Sequence, residues 1–165
     1  MSNNTFIAGE QSGTYLALGL VTEADILHMA HKLARRRLAK GRVLDAPSKT
    51  FEALQTLLQE CEHEIFAVVL LDNQHRILRF EQLFRGTIDA ASVYPREVVK
   101  LALTCNAAAA IFVHNHPSGD PEPSRADVAI TQRLRDALNL VDIRTLDHVV
   151  VGLEGCVSLA ERGQI

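Results

Sequence analysis

An α/β domain, with a mixed sheet covered by helices on both faces, is predicted by three features of this 165-residue sequence. Segments with apolar residues at helical spacing alternate along the chain with short apolar runs. The run at residues 65–71 is partly β-branched and does not alternate apolar with polar residues, which is how a strand buried on both faces reads, and further strands are expected at 109–113 and 143–151. Composition completes the case: 47% apolar and 22% charged residues are ordinary for a globular chain and exclude general disorder. The length suits one compact domain, at the usual ~100–200 residues each.

Residues 1–22 are small and polar with no clear period, and read as a loosely held arm or an edge element. From 23 to 40, Ile26, Ala30, Leu33, Ala34 and Leu38 keep helical spacing, and Gly41 follows where a helix end needs left-handed backbone. A second helix carries Phe51, Leu54, Leu58 and Cys61, with Ser48 as its expected N-cap and an end near Glu62. After the strand at 65–71, Asp72-Asn73-Gln74 supplies a turn, and residues 76–87 read as one or two strands with Gly86 as the bend, so the sheet opens with a hairpin. Pro95 suits a first helical turn, and residues 98–105 read as a mostly buried helix before the strand at 109–113. Three of the five prolines, Pro117, Pro121 and Pro123, then force an extended loop. A helix over 124–138, the strand at 143–151 and a last strand near Val157 complete the series.

A formal charge of −3 excludes a molecule that is an electrostatic glove for nucleic acid, so any basic surface is local. One such segment exists. Lys32, Arg35, Arg36, Arg37, Lys40 and Arg42 lie close enough along one helix for a weak nucleic-acid contact, although such a run reads first as a solvated helix face. Cys61, Cys105 and Cys156 form neither a CxxC pair nor a dense even set, which reads as reduced thiols in or near the core. No apolar run reaches the ~18 residues of a membrane span. Met1-Ser2-Asn3-Asn4-Thr5 lacks the basic and apolar regions of a signal peptide, and a cytoplasmic protein is expected.

The chemistry is concentrated between Val113 and Asp127. His114 and His116, separated by one residue of extended chain, point to the same side and can converge on one ion. Asp127 falls in the first turn of the next helix, with Ile130 and Leu134 on the same face, so its carboxylate turns inward and needs a partner. Two imidazoles and a carboxylate match the three-ligand arrangement of catalytic zinc, which leaves a fourth position to water. The prolines between them restrict the loop and reduce the entropy lost when such a site forms. Ser124-Arg125-Ala126-Asp127 also reads as a capping box. Capping accounts for Ser124 and Asp127 but leaves the paired histidines unexplained. The other histidines, His28, His31, His63, His75 and His148, read as structural, with His148 expected in a hydrogen bond and, as the less favoured alternative, in support of a metal ligand. The chain has no HExxH, GxxxxGK[ST] or GxGxxG, and no HxE with a later PCxxC, so four other metal and nucleotide chemistries lack their groups.

His114-x-His116-Pro117, seven residues to Ser124 and two more to Asp127, resembles the JAMM motif of the JAB/MPN metalloprotease superfamily. Leu71-Asp-Asn-Gln-His75-Arg, Ser92-Val-Tyr-Pro-Arg-Glu97-Val-Val, His114-Asn-His-Pro-Ser-Gly119, Pro123-Ser-Arg-Ala-Asp127 and Leu146-Asp-His-Val-Val-Val-Gly152 resemble the bacterial RadC-like JAB domain. The resemblance divides the chain into an N-terminal arm and helix, 1–44, and a JAB/MPN domain, 45–165. It implies a three-layer α/β/α fold similar to cytidine deaminases, and zinc held by His114, His116 and Asp127. It describes a short form, without the helix–hairpin–helix unit of longer relatives.

The implied activity is that of a metallopeptidase or isopeptidase acting on a peptide or protein. The resemblance also implies a glutamate acting on the metal's water; Glu64 is the best match, with Glu81 and Glu97 as competitors. Ser124 is expected to donate a hydrogen bond to the carbonyl oxygen as charge develops there. The alternative is a DNA-associated accessory protein whose zinc site is structural or vestigial.

Overall fold

The computed structural model describes residues 5–86 and 93–165. Thr87, Ser92 and the first four residues, all named in the sequence reading, lie outside the described residues. The elements follow as β1 (Phe6–Ala8), β2 (Tyr15–Ala17), α1 (Glu23–Arg37), α2 (Pro47–Leu58), β3 (Glu64–Leu71), β4 (Ile77–Gly86), α3 (Pro95–Thr104), β5 (Ala109–Asn115), α4 (Arg125–Asn139), β6 (Arg144–Gly152) and β7 (Gly155–Ser158).

Five strands form one mixed sheet in the order β4-β3-β5-β6-β7, in which only β5 and β6 run parallel. A parallel pair needs a crossover, and α4 supplies it. The apolar run without alternation has the predicted cause: successive residues of β3 enter two different cores. Ala67, Val69 and Leu71 pack with Ala53, Leu54 and Leu58 of α2 and with Ala34 and Leu38 at the end of α1. Phe66, Val68 and Leu70 pack on the other face with Val98 and Ala102 of α3 and with Ile130, Leu134 and Leu138 of α4. The result is the three-layer α/β/α architecture expected of a JAB/MPN fold. Each fully buried Leu, Val or Phe contributes ~1.5–3 kcal/mol, so the two cores hold the sheet from both sides.

Several boundaries move. Residues 6–17 form a small antiparallel hairpin of their own, Phe6 opposite Ala17, where a loose arm or an edge element was expected. The second helix begins at Pro47 with Ala46 as N-cap, not at Ser48, because proline's preset backbone angle occupies the first helical position and no side chain caps the turn. It ends at Leu58, short of Glu62, and the first helix stops at Arg37, short of Lys40. Residues 77–86 form one strand rather than two; register shifts against β3 absorb the irregularities. The three cysteines are free and half-buried, and burial pushes the Cys156 thiol up to about 11. None of the described helices is long and apolar enough to cross a membrane.

Candidate metal centre

The parallel pair and its crossover place the carboxyl end of β5 beside the amino end of α4. His114 is the last but one residue of β5 and 1% exposed; His116 follows the strand; Asp127 is the third residue of α4. Because β5 alternates, His114 lies on the same face as Phe112, in the α3/α4 layer, and its ring stacks on Phe66 at 6.0 Å. Ring nitrogens of the two histidines meet, with Nε2 of His114 2.9 Å from Nε2 of His116. Asp127 closes the set, its Oδ1 3.3 Å from His114 Nε2 and its Oδ2 3.5 Å from His116 Nε2.

The local sequence explains each placement. Ser124 caps α4: its hydroxyl accepts from the Asp127 N–H at 3.1 Å, and Asp127 Oδ2 accepts from the Ser124 N–H at 2.7 Å. The predicted capping box and the inward carboxylate are therefore both present, on one residue. The proline-rich loop is tied to the sheet by His116 N–H to Val151 C=O, 2.8 Å, and by Leu153 N–H to Gly119 C=O, 2.9 Å. It returns the Asp120 carbonyl to 2.8 Å from His116 Nδ1. A carbonyl only accepts, so His116 carries its proton on Nδ1 and turns the lone pair of Nε2 inward. His114 is likewise bonded through Nδ1, to Nε2 of His148 at 2.8 Å.

Burial alone would raise the Asp127 carboxyl, but hydrogen bonding from the protonated forms of His114 and His116, the charge of His114 and the Ser124 cap hold it far below the usual carboxylate range. The Asp127 carboxylate, helped by the Asp120 carbonyl and the charge of Glu64, raises His116 against the opposing effect of burial. These directions describe a carboxylate that favours positive charge beside it, on the imidazoles or on an ion between them. The nearest donor atoms of the three residues are 2.9, 3.3 and 3.5 Å apart, separations that one divalent ion with bonds of ~2.0–2.2 Å can bridge. Converging lone pairs and a carboxylate repel unless a cation separates them, so the donor set fits a metal.

Glu64 opens β3. The antiparallel register pairs Phe66 with His114, alternation along β3 puts Glu64 on the same face as Phe66, and the charge of Glu64 reaches His116. The buried Asn115 fixes this start: its Oδ1 accepts from Ile65 N–H at 2.8 Å, and its Nδ2 donates to the carbonyls of Cys61 and His63 at 3.3 and 3.1 Å. Asn115→Ala is expected to destabilise the fold by about 2 kcal/mol, since it strands buried polar groups on both sides of Glu64. Denaturant unfolding checks this, and an unchanged midpoint contradicts it.

The other candidates sit elsewhere. Glu81, on β4, pairs with Arg79 at 2.7 Å, and Glu97, in the first turn of α3, pairs with Lys100 at 3.2 Å, both on the surface. The basic segment 32–42 belongs to the layer on the opposite face of the sheet from the histidines. There Arg37 pairs with Glu52 and Arg36 donates to the Tyr15 hydroxyl.

Two further residues contribute. His148 takes the less favoured of its two expected roles, since its hydrogen bond goes to a site histidine; packed edge-on against Phe66 and Phe112, it is completely buried and held neutral by that burial. Thr131, four residues after Asp127 on the same helical face, bonds to His148 Nδ1. A polar residue among Ile130, Leu134 and Leu138 was the available signal.

The family model of the RadC-like JAB domain matches residues 44–164. The chain belongs to this family. Among similar proteins, a UPF0758 protein of Vibrio cholerae serotype O1 is 59% identical over 149 residues, 90% of this chain and 94% of that relative. A UPF0758 protein of Thioalkalivibrio sulfidiphilus is 56% identical over 155 residues, 94% and 67% of the two chains, and one of Methylibium petroleiphilum is 54% identical over 154 residues, 92% and 69%. Those names state no activity. JAB domains are related to the JAMM metalloproteases, so this RadC-like JAB domain, with its His-His-Asp cluster, belongs among candidate metal-dependent hydrolases.

Proposed function

We propose that this RadC-like JAB domain is a zinc-dependent amide hydrolase acting on a peptide or protein, as a metallopeptidase or isopeptidase. The observation that carries the reading is the convergence of His114, His116 and Asp127 at the end of β5, with Glu64 set on the same face. A zinc ion held by those three residues would supply an acidified water and a Lewis acid for the substrate carbonyl. Glu64 takes the proton from the attacking water on its carboxylate and returns it to the leaving nitrogen. Ser124, whose oxygen already accepts from the Asp127 N–H, keeps its own O–H for donation to the carbonyl oxygen as charge builds there. It is not the nucleophile, since its oxygen is engaged as a cap and the ring nitrogens of His114 and His116 are bonded to other partners.

Glu64→Gln provides the test. The amide keeps the side chain's size but accepts no proton, so zinc content is expected to stay at the wild-type level while hydrolysis of a peptide library falls ~10²–10⁴-fold. Equal rates would remove Glu64 from the mechanism; a wild-type protein that retains no zinc after equilibration with it would remove the metal reading itself.

A further inference from the structure

We infer that Thr131 and His148 are positioning residues that set the tautomer of His114, through a chain of hydrogen bonds running from the backbone of α4 to β5. The inference deepens the metal-centre reading and rests on it. The Thr131 hydroxyl lies 2.5 Å from the backbone carbonyl of Asp127, an atom that can only accept, so the hydroxyl's single hydrogen is committed there. Thr131 Oγ1 can then only accept from the ring of His148, which places the proton of His148 on Nδ1. That leaves His148 Nε2 without a hydrogen, facing His114 Nδ1 at 2.8 Å. His114 must therefore donate from Nδ1, and its Nε2 presents a lone pair toward His116 and Asp127.

One acceptor-only carbonyl thus dictates three successive hydrogen positions. The chain begins on the main chain of one ligand-bearing residue, Asp127, and ends on the ring of another, His114. The surroundings leave no substitute: His114, Thr131 and His148 are each 1% exposed or less, and Phe66 and Phe112 pack against the His148 ring, so no solvent is placed to replace a missing partner. His116 obtains the same orientation more simply, from the Asp120 carbonyl in the loop. The two histidines therefore reach one electronic state by different routes, one anchored in the core and one in the proline-rich loop.

The wild-type, metal-free chain at alkaline pH, where the imidazoles are neutral, gives the direct test by nitrogen-15 NMR of its histidine rings. The expected spectrum shows His114 and His148 both protonated on Nδ1; His114 protonated on Nε2 overturns the inference. Competition for zinc against a chromogenic chelator gives the second test. Thr131→Val keeps the side chain's shape but removes the hydroxyl, and is expected to weaken zinc binding ~10–100-fold, while Thr131→Ser keeps the hydroxyl and stays near wild type. Equal affinity in all three proteins, or equal loss in both variants, overturns the inference by making Thr131 a matter of packing alone. Should Thr131→Val fail to fold, the wild-type spectrum still decides. A correct spectrum in a protein that binds no zinc sinks the metal reading and leaves the hydrogen-bond chain standing.

Discussion

Gly152→Ala is expected to cost the fold about 3 kcal/mol and to remove metal binding with it. A methyl group at Gly152 would stand 2.2 Å from the carbonyl oxygen of Gly119 and 2.8 Å from the nitrogen and Cδ of Pro121. Those are backbone and ring atoms of a loop stiffened by three prolines, with no rotamer available to relieve the clash. The strand cannot retreat either, since Gly152 is paired with Gly155 and Val151 accepts from His116 N–H. The loop must move, and the carbonyl that orients His116 belongs to Asp120, between the two clashing residues. Gly119→Ala is the informative control: its backbone angle of +90° strains any side chain, at ~1–2 kcal/mol, but its methyl meets only the movable end of Leu153 at 3.3 Å. Denaturant midpoints and zinc content of the two variants separate the effects. A Gly152→Ala protein with wild-type midpoint and full zinc content would uncouple the loop from the site.

The layers were legible because the β3 run carries its information in the absence of alternation. A strand with one wet face cannot afford Phe66 through Leu71 without a polar residue, so helices on both faces followed. Ser48 misled because the N-cap preference for serine competes with the preference of proline for the first helical position, and Pro47 stood one residue earlier. The hairpin at 6–17 was invisible because most of its residues are exposed and their spacing carries no burial signal.

At the site, two histidines and an inward acid were readable from spacing because His114 and Asp127 lie in regular elements whose period fixes their direction, and His116 comes one residue after β5 ends. Glu64 was not readable in that way: it enters through strand pairing between residues some fifty positions apart, which no local period encodes. Gly152 and the Asp120 carbonyl escaped for a related reason, since a close approach between a loop and a strand end leaves no mark on either segment read alone. Thr131 had a mark, polarity on a buried helical face, but its meaning depended on His148 arriving from another strand.

Asp127→Asn is expected to abolish the stabilisation that zinc confers while leaving a cooperatively folding protein without metal. Two capping boxes occur among the described residues, and they separate the two jobs of Asp127. Thr22 and Asp25 cap α1 in the same reciprocal way, with Asp25 only half-buried and hydrogen-bonded to Thr22 and Thr5 rather than to imidazoles. Capping therefore works at half burial and without bonds to imidazoles, whereas Asp127 is buried beside two. An asparagine at 127 retains an oxygen to accept from the Ser124 N–H, so α4 keeps its start, but it loses the negative charge that a divalent ion needs from its third ligand. For the wild type, free zinc at a thousand times Kd adds about 4.1 kcal/mol. At ~2–4 °C per kcal/mol for a chain of this size, that is a rise of ~8–16 °C in Tm. Asp127→Asn should show almost none of this rise, and Asp127→Ala should lose it too and fall a further ~1 kcal/mol in chelator, because the cap goes with the ligand. Thermal melts of the three proteins, each with zinc and with chelator, give the comparison. A full zinc-dependent rise in Asp127→Asn would mean that the carboxylate serves α4 alone and that the ion, if bound, is held by other atoms.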